Sequence, residues 1–165
     1  MRSAENVMSE INWLLKNFEV RQIDILDDNF NLNPERTNRI LDSIIAGRYG
    51  LAINCHNGLR VDRLTRELAG KLKRAGVFKV GVWVESGDER VLESVKKKLR
   101  LHMVRDVIKW FREENVVVHG FLSLDYLVMT GRVCRIQLIL RRRRIRILQI
   151  LLSVYRFREL QFMIM

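Results

Sequence analysis

Cysteine and proline are nearly absent from this 165-residue chain, which has two cysteines, Cys55 and Cys134, and one proline, Pro34. Two cysteines so far apart form neither a disulfide framework nor a metal-ligand spacing. A reducing, cytoplasmic setting is therefore expected. No uncharged apolar run reaches the roughly 18 residues that a membrane-spanning helix needs. The opening Met1-Arg2-Ser3-Ala4-Glu5 lacks the apolar stretch of a secretory signal. The glycine fingerprint of a dinucleotide-binding turn is also missing. The length suits one domain with a sizeable core.

Acidic residues are scarce in one part of the chain only. The net charge is +11, which by itself points to nucleic acid or an anionic membrane. Residues 1–121 hold 21 Lys/Arg against 17 Asp/Glu, a net of +4, whereas residues 122–165 hold 9 against 2, a net of +7. The basic character belongs mainly to the tail and says little about the main body.

From residue 3 to residue 121 the pattern alternates between helix and strand. Ser3 is placed to cap a first helix, with Val7, Met8, Ile11, Leu14, Leu15 and Phe18 on one face. Residues 20–26 read as a strand. Asn33-Pro34 is a cap followed by proline at the first helical position. Ile40, Leu41, Ile44 and Ile45 form that helix's apolar stripe, and Gly47 is its expected end. Residues 49–55 read as a strand, Asp62 as the cap of a third helix reaching Arg74, and residues 77–84 as a strand. Ser86-Gly87-Asp88-Glu89 fits a capping box that opens a helix to about Lys97. Residues 101–114 read as a helix with Val104, Val107, Ile108 and Phe111 inward, and Val116-Val117-Val118 starts a further strand.

Strands separated by single helices imply crossover connections and a parallel sheet. A fragment of a partial (β/α) barrel is favoured in this α/β chain, with a doubly wound sheet as the other possibility. Two strands run directly into acidic or small polar residues: Ile23-Asp24-Ile25-Leu26-Asp27-Asp28-Asn29-Phe30 and Val82-Trp83-Val84-Glu85-Ser86-Gly87. Ligands of parallel sheets sit at the carboxyl ends of the strands. These two stretches are therefore candidate parts of one site.

After Phe121 this order breaks down. Arg141-Arg142-Arg143-Arg144 lies among Ile, Leu and Val without helix caps, turn glycines or a clean period. A basic interaction arm is ordinarily polar, whereas this tail is basic and apolar, an aggregation risk.

With these residues laid out, the chain resembles the radical S-adenosylmethionine (radical SAM) enzymes, in particular the subgroup that often carries a cobalamin (B12)-binding domain upstream. The resemblance covers about residues 2–121. It rests on the order and spacing of Arg2-Ser3-Ala4-Glu5-Asn6-Val7, Leu26-Asp27-Asp28-Asn29-Phe30, Asn57-Gly58-Leu59-Arg60-Val61-Asp62, Glu85-Ser86-Gly87 and Val118-His119-Gly120-Phe121. It implies a partial (β/α) barrel and reductive cleavage of S-adenosylmethionine by a 4Fe-4S cluster, with cobalamin a possible further cofactor of the parent enzyme.

By the same resemblance, Asp27, Asp28 and Asn29 stand where the family binds the methionyl amino group, and carboxylates suit an ammonium partner. Glu85 and Ser86 stand where it meets the ribose hydroxyls or the amino-acid end of the cofactor. Gly120 is counted with the cofactor-binding residues. Each has a plainer reading. The paired acids are solvated or shape a loop, and Ser86 is a helix cap. Arg60 either meets a carboxylate near the site or pairs with Asp62. Cys55-His56 is ordinary strand and loop, and Lys96-Lys97-Lys98 is a solvated helix end.

Two departures from the family pattern stand out. The C-x3-C-x2-C loop that would hold the cluster is absent, so the chain is expected to be truncated before the first strand and inactive as written. In addition, residues from Phe121 onward, re-read in a shifted frame with free third bases, can give FIIGLPGDDRESMQNTVDFAKK, a family-like string. The expectation is a cofactor-binding body over 1–121 and an out-of-frame tail over 122–165. The alternative is a small basic module whose Arg132, Arg135, Arg141 to Arg144 and Arg146 bind nucleic acid phosphates or anionic lipid.

Overall fold

The computed structural model describes residues 1–85, 89–94, 99–123 and 149–151. Ser3 starts the first helix as its sequence position suggests. Its hydroxyl accepts the Asn6 N–H at 3.2 Å, and α1 runs Ala4–Asn17. Its apolar stripe buries Met8 and Ile11, while Phe18, just past the end, is exposed and stacks edge-on with Trp13. Strand β1 is Gln22–Ile25, shorter than the 20–26 expected. Helix α2, Pro34–Gly47, is capped by the Asn33 side chain on Arg36 N–H at 3.0 Å. Gly47 is its last helical residue, and the left-handed turn expected of a glycine is made by Arg48 (φ 46°).

Strand β2 is Ala52–Leu59 and runs four residues beyond the expected end at Cys55. Cys55 stands opposite Val80 and Leu59 opposite Val82, so the extension bulges between them and rejoins the neighbouring strand at Leu59. The third helix, α3, is Arg66–Arg74, and its cap is Thr65, whose hydroxyl accepts the Leu68 N–H at 3.1 Å. This corrects the assignment of the cap to Asp62. The chain makes a 3-10 turn at Val61–Arg63, and the Asp62 carboxylate is taken up by Arg60. Strand β3 is Val77–Glu85, followed by α4, Glu89–Ser94, and α5, Leu101–Glu113. The N-terminus of α5 has no side-chain cap from Arg100; Glu89 supplies it, accepting the Leu101 N–H at 3.1 Å. Strand β4 is Val117–Ser123 and β5 is Gln149–Leu151.

The five strands form one sheet in the order β1-β2-β3-β4-β5, each parallel to the next. A doubly wound sheet reverses its strand order at a switch point; this one does not. The choice left open by the pattern therefore falls to a barrel-type, singly wound arrangement. Helix α1 packs on α2, α2 on α3 and α3 on α5, a continuous row. Between helices and sheet lies one apolar cluster that includes Ile40, Leu41, Ile53, Leu72, Val80 and Phe111, each at most 1% exposed. The β4 edge, which would be open in a four-stranded fragment, pairs with β5 from Phe121 to Ser123.

Among the described residues, no helix is long and apolar enough to cross a membrane.

Candidate functional site

Side chains alternate across a strand, and the register fixes which share a face. Ile23, Ile53, Cys55, Val80, Val82 and Val118 point to the helices. Asp24, Asn54, Lys79, Gly81, Trp83, His119 and Phe121 lie on the other face. Phe121 is buried but stands outside the apolar core cluster. It packs instead on Trp83, with ring centroids 4.7 Å apart and planes tilted by 31°.

Two glycines make room for this aromatic pair. A Cβ on Gly58 would stand 2.8 Å from the Trp83 ring, and one on Gly81 would stand 2.5 Å from the Phe121 ring. Gly58 also has φ +100°, a conformation that side chains rarely adopt.

Because the strands are parallel, their carboxyl ends share one edge of the sheet. Asp27 to Asn31 follow β1, Asn57 to Arg60 close β2, and Glu85 ends β3. Hydrogen bonds tie these ends together. The Asn57 amide donates to the Leu26 carbonyl at 2.6 Å and makes a longer contact, 3.4 Å, to Asp28 Oδ1. The Asn57 carbonyl accepts the Trp83 indole N–H at 2.7 Å. Deeper in the fold, the buried Asn31 side chain exchanges two hydrogen bonds of 2.9 Å with the Arg60 backbone. Asp28 is thus linked through Asn57 to Trp83, two residues before Glu85.

The candidate residues fall into distinct environments. Asp28 is exposed at the β1 end. Asp27 is half-buried; its Oδ1 accepts the Asn29 N–H at 3.0 Å, and its Oδ2 is 3.5 Å from Arg36 Nη1. Asn29 takes part through that backbone bond. Arg60 resolves in favour of Asp62, donating from Nε and Nη2 at 3.0 and 2.8 Å. The pair holds the Asp62 carboxyl below its ordinary value, chiefly through the hydrogen bonds from Arg60, and raises the Arg60 guanidinium correspondingly.

Glu85 reaches the edge through its backbone, which pairs with Leu122. Gly120 lies inside β4 opposite Val82, on the helix-facing side by alternation. Ser86, Lys96 to Lys98 and the arginines from Arg132 to Arg146 lie outside the described residues.

Sequence reasoning gave no role to Asn57, Trp83, Asn31 or Arg36. Asn57 sits inside a stretch singled out for other reasons, and its side-chain bond to a strand 31 residues earlier has no local signal.

Cys55 points into the core, where burial pushes its thiol up to about 12, so it is no thiolate ligand at neutral pH. His56, next along the strand, is exposed on the other face. Among the described residues, no three His, Cys, Asp or Glu side chains stand close enough to hold a metal. The described residues therefore do not fit a 4Fe-4S cluster. The exposed Asp28 carboxylate beside neutral hydrogen-bonding groups does fit an ammonium group.

A family model described as the Radical SAM superfamily matches residues 1–132. Cytidylyl-2-hydroxyethylphosphonate methyltransferase of Streptomyces wedmorensis is 28% identical over 131 residues, covering 79% of this chain and 24% of that protein. An uncharacterized methyltransferase of Pyrococcus horikoshii is 30% identical over 107 residues, covering 65% of this chain and 23% of that protein. The chain thus spans about a quarter of the length of the curated relatives it matches.

Among solved structures, the radical S-adenosylmethionine methyltransferase TsrM of Kitasatospora setae, with cobalamin and a 4Fe-4S cluster bound, superposes with a TM-score of 0.73 at 17% identity. The overlap is 82% of this chain and 28% of TsrM. A second structure of TsrM, with tryptophan substrate and the S-adenosylmethionine analogue aza-SAM, matches with the same score over 27% of its length. At this identity the likeness shows the fold.

Proposed function

The chain belongs to the radical S-adenosylmethionine superfamily, and from that premise we propose that its strand ends form one wall of an S-adenosylmethionine site in a methyltransferase. The linked edge from Asp28 through Asn57 to Trp83 carries this reading. It sets an anionic strand end beside the end of β3, where Glu85 follows. The acidic loop Asp27 to Asn29 receives the cofactor's ammonium group, an attraction that charge-assisted hydrogen bonds strengthen. Glu85, with Ser86 after it, accepts from the ribose hydroxyls, and the Gly120 backbone lines the far side. Arg60, engaged by Asp62, contributes its backbone through Asn31.

In the superfamily, the 4Fe-4S cluster supplies the electron that cleaves S-adenosylmethionine. The described residues supply binding and orientation. The methyl-transfer reading rests on the two curated relatives, both methyltransferases. Cobalamin is part of the proposal through the likeness to TsrM.

Isothermal calorimetry of the full chain with S-adenosylmethionine tests the wall. Saturable binding that weakens in both Asp28→Ala and Glu85→Ala supports it; absence of binding by the folded wild type overturns it. The out-of-frame origin of residues 122–165 belongs to the same proposal and is tested at the DNA. A resequenced frame that opens as Gly-Leu-Pro-Gly after Phe121 supports it, and an intact present frame refutes it.

A further inference from the structure

The two adjacent acids of the β1 loop are not equivalent. Both oxygens of Asp27 face a partner: Oδ1 accepts the Asn29 N–H at 3.0 Å, and Oδ2 lies 3.5 Å from the buried Arg36 Nη1, an ion pair without a hydrogen bond. Arg36 reaches this position from the first turn of α2 with a side chain only 11% exposed, and its Nε donates to the Arg2 carbonyl at 2.7 Å. The guanidinium is thus braced against the start of α1 while it faces the loop. Asp28, one residue on, is exposed, and among the described residues it has no cation within 4.0 Å; its carboxylate accepts a long hydrogen bond, 3.4 Å, from the neutral Asn57 amide.

We infer that Arg36 is a positioning residue that commits Asp27 to shaping the loop and leaves Asp28 as the carboxylate offered to a cationic ligand. The physical reason is charge. An ammonium group brought to Asp27 would also meet Arg36, a like charge a few ångströms away, and like charges that close repel. Among the described residues no such cation stands by Asp28. The Asn29 N–H bond and the Arg36 contact together fix the loop's turn, so Asp28 is held outward and its carboxylate need not be reordered on binding. The ligand assignment rests on the S-adenosylmethionine reading above; the commitment of Asp27 does not.

The experiment therefore has a ligand-free arm and a ligand arm, both on the full chain. In the first, surface carboxylates are coupled to a small amine with carbodiimide and read by mass spectrometry. Asp28 should label several-fold faster than Asp27, and the protection of Asp27 should vanish in Arg36→Met and return in part in Arg36→Lys. Equal labelling of the two acids in the wild type overturns the inference.

In the second arm, calorimetry with S-adenosylmethionine compares isosteric variants. Asp28→Asn should weaken binding about tenfold or more, the scale of a lost charged hydrogen bond, with Asn29 amide exchange unchanged. Asp27→Asn and Arg36→Met should each weaken binding less, speed Asn29 exchange, and be no worse in combination than singly. A loss in Asp27→Asn equal to that in Asp28→Asn, with Asn29 exchange unchanged, makes Asp27 a direct ligand and refutes the division. A wild type that binds nothing refutes the cofactor reading and with it the ligand role of Asp28, while the labelling result still decides the role of Arg36.

Discussion

On the helix-covered face of the sheet, Ile53, Cys55, Val80 and Val82 are at most 1% exposed and belong to one apolar cluster. On the opposite face, Asp24 of β1 and Lys79 and Trp83 of β3, each one residue from a helix-facing neighbour, remain at least partly open. The backbone and the hydrogen-bonded ladders are shared, and only the side-chain parity differs. The helix-covered face supplies the apolar burial that drives folding. The other face is relieved of that demand and carries charges, an aromatic pair and the strand ends that form the candidate site.

If that division holds, substitutions on the two faces must differ in cost. The largest expected effect is Phe111→Ala, which empties a fully buried position of α5 in the apolar cluster. Removing a buried aromatic costs roughly 3–5 kcal/mol, a large part of the total stability of a small domain. Lys79→Met, on the open face, should stay within about 0.5 kcal/mol. Urea denaturation of both variants gives the comparison, and equal losses would erase the distinction between the faces.

Cys55 sharpens it next. Its thiol is buried among apolar groups and pushed up to about 12 by that burial. Because the folded value is raised, this group's stabilising contribution is complete below its unfolded value and is lost as pH rises from there through about 12. Two outcomes are expected at neutral pH. In a Cys134→Ser background the native thiol should react with a disulfide reagent only as fast as the protein opens, and Cys55→Ser should cost about 1–3 kcal/mol by burying a hydroxyl. Rapid labelling of the native protein would show that this strand face is accessible.

Trp83→Ala should cost less, about 1 kcal/mol, because its ring is partly exposed and what it loses is the contact with Phe121 and one hydrogen bond to the Asn57 carbonyl. The effect should be smaller in Trp83→Phe, which keeps a ring over Gly58. Thermal melts that rank the two variants the other way would argue that Trp83 is held by something other than these contacts.

The legibility of the chain follows the same division. Helices α1, α2 and α5 and the alternation of strands with helices are legible because apolar periodicity and caps at Ser3 and Asn33 are local signals, whereas the order of strands in the sheet is not local. Asp62 and Thr65 are both good cap residues by type, and only the Leu68 N–H bond to Thr65 and the Arg60 pair on Asp62 separate them. The end of β2 reads as Cys55 because His56, Asn57 and Gly58 are loop-type residues; they bulge from the ladder, and the strand pairs with β3 again at Leu59. On the open face, the acids at the strand ends were legible as types in a pattern. Their neighbours were not: Arg36 beside Asp27 and Asn57 beside Asp28 come from other elements, and no spacing along the chain announces them.

Arg60 and Asp62 carry the smallest prediction, and they test where the site ends. Two hydrogen bonds from Arg60 hold the Asp62 carboxyl below its ordinary value. A lowered folded value means that the pair's contribution is present above the unfolded carboxylate value and is lost as pH falls through the folded one. Arg60 is 44% exposed, so solvent screening limits that contribution to less than about 1 kcal/mol. The measurable form is a difference. Between pH 7 and pH 3 the wild type should lose slightly more stability in urea than Asp62→Asn does, and Arg60→Met should behave like Asp62→Asn. Neither substitution should alter S-adenosylmethionine binding, because the part of Arg60 that faces the strand ends is its backbone, clamped by Asn31. If Arg60→Met weakens binding while Asp62→Asn does not, the guanidinium leaves Asp62 to meet a ligand carboxylate, and the site extends past β2 to the turn at Val61–Arg63.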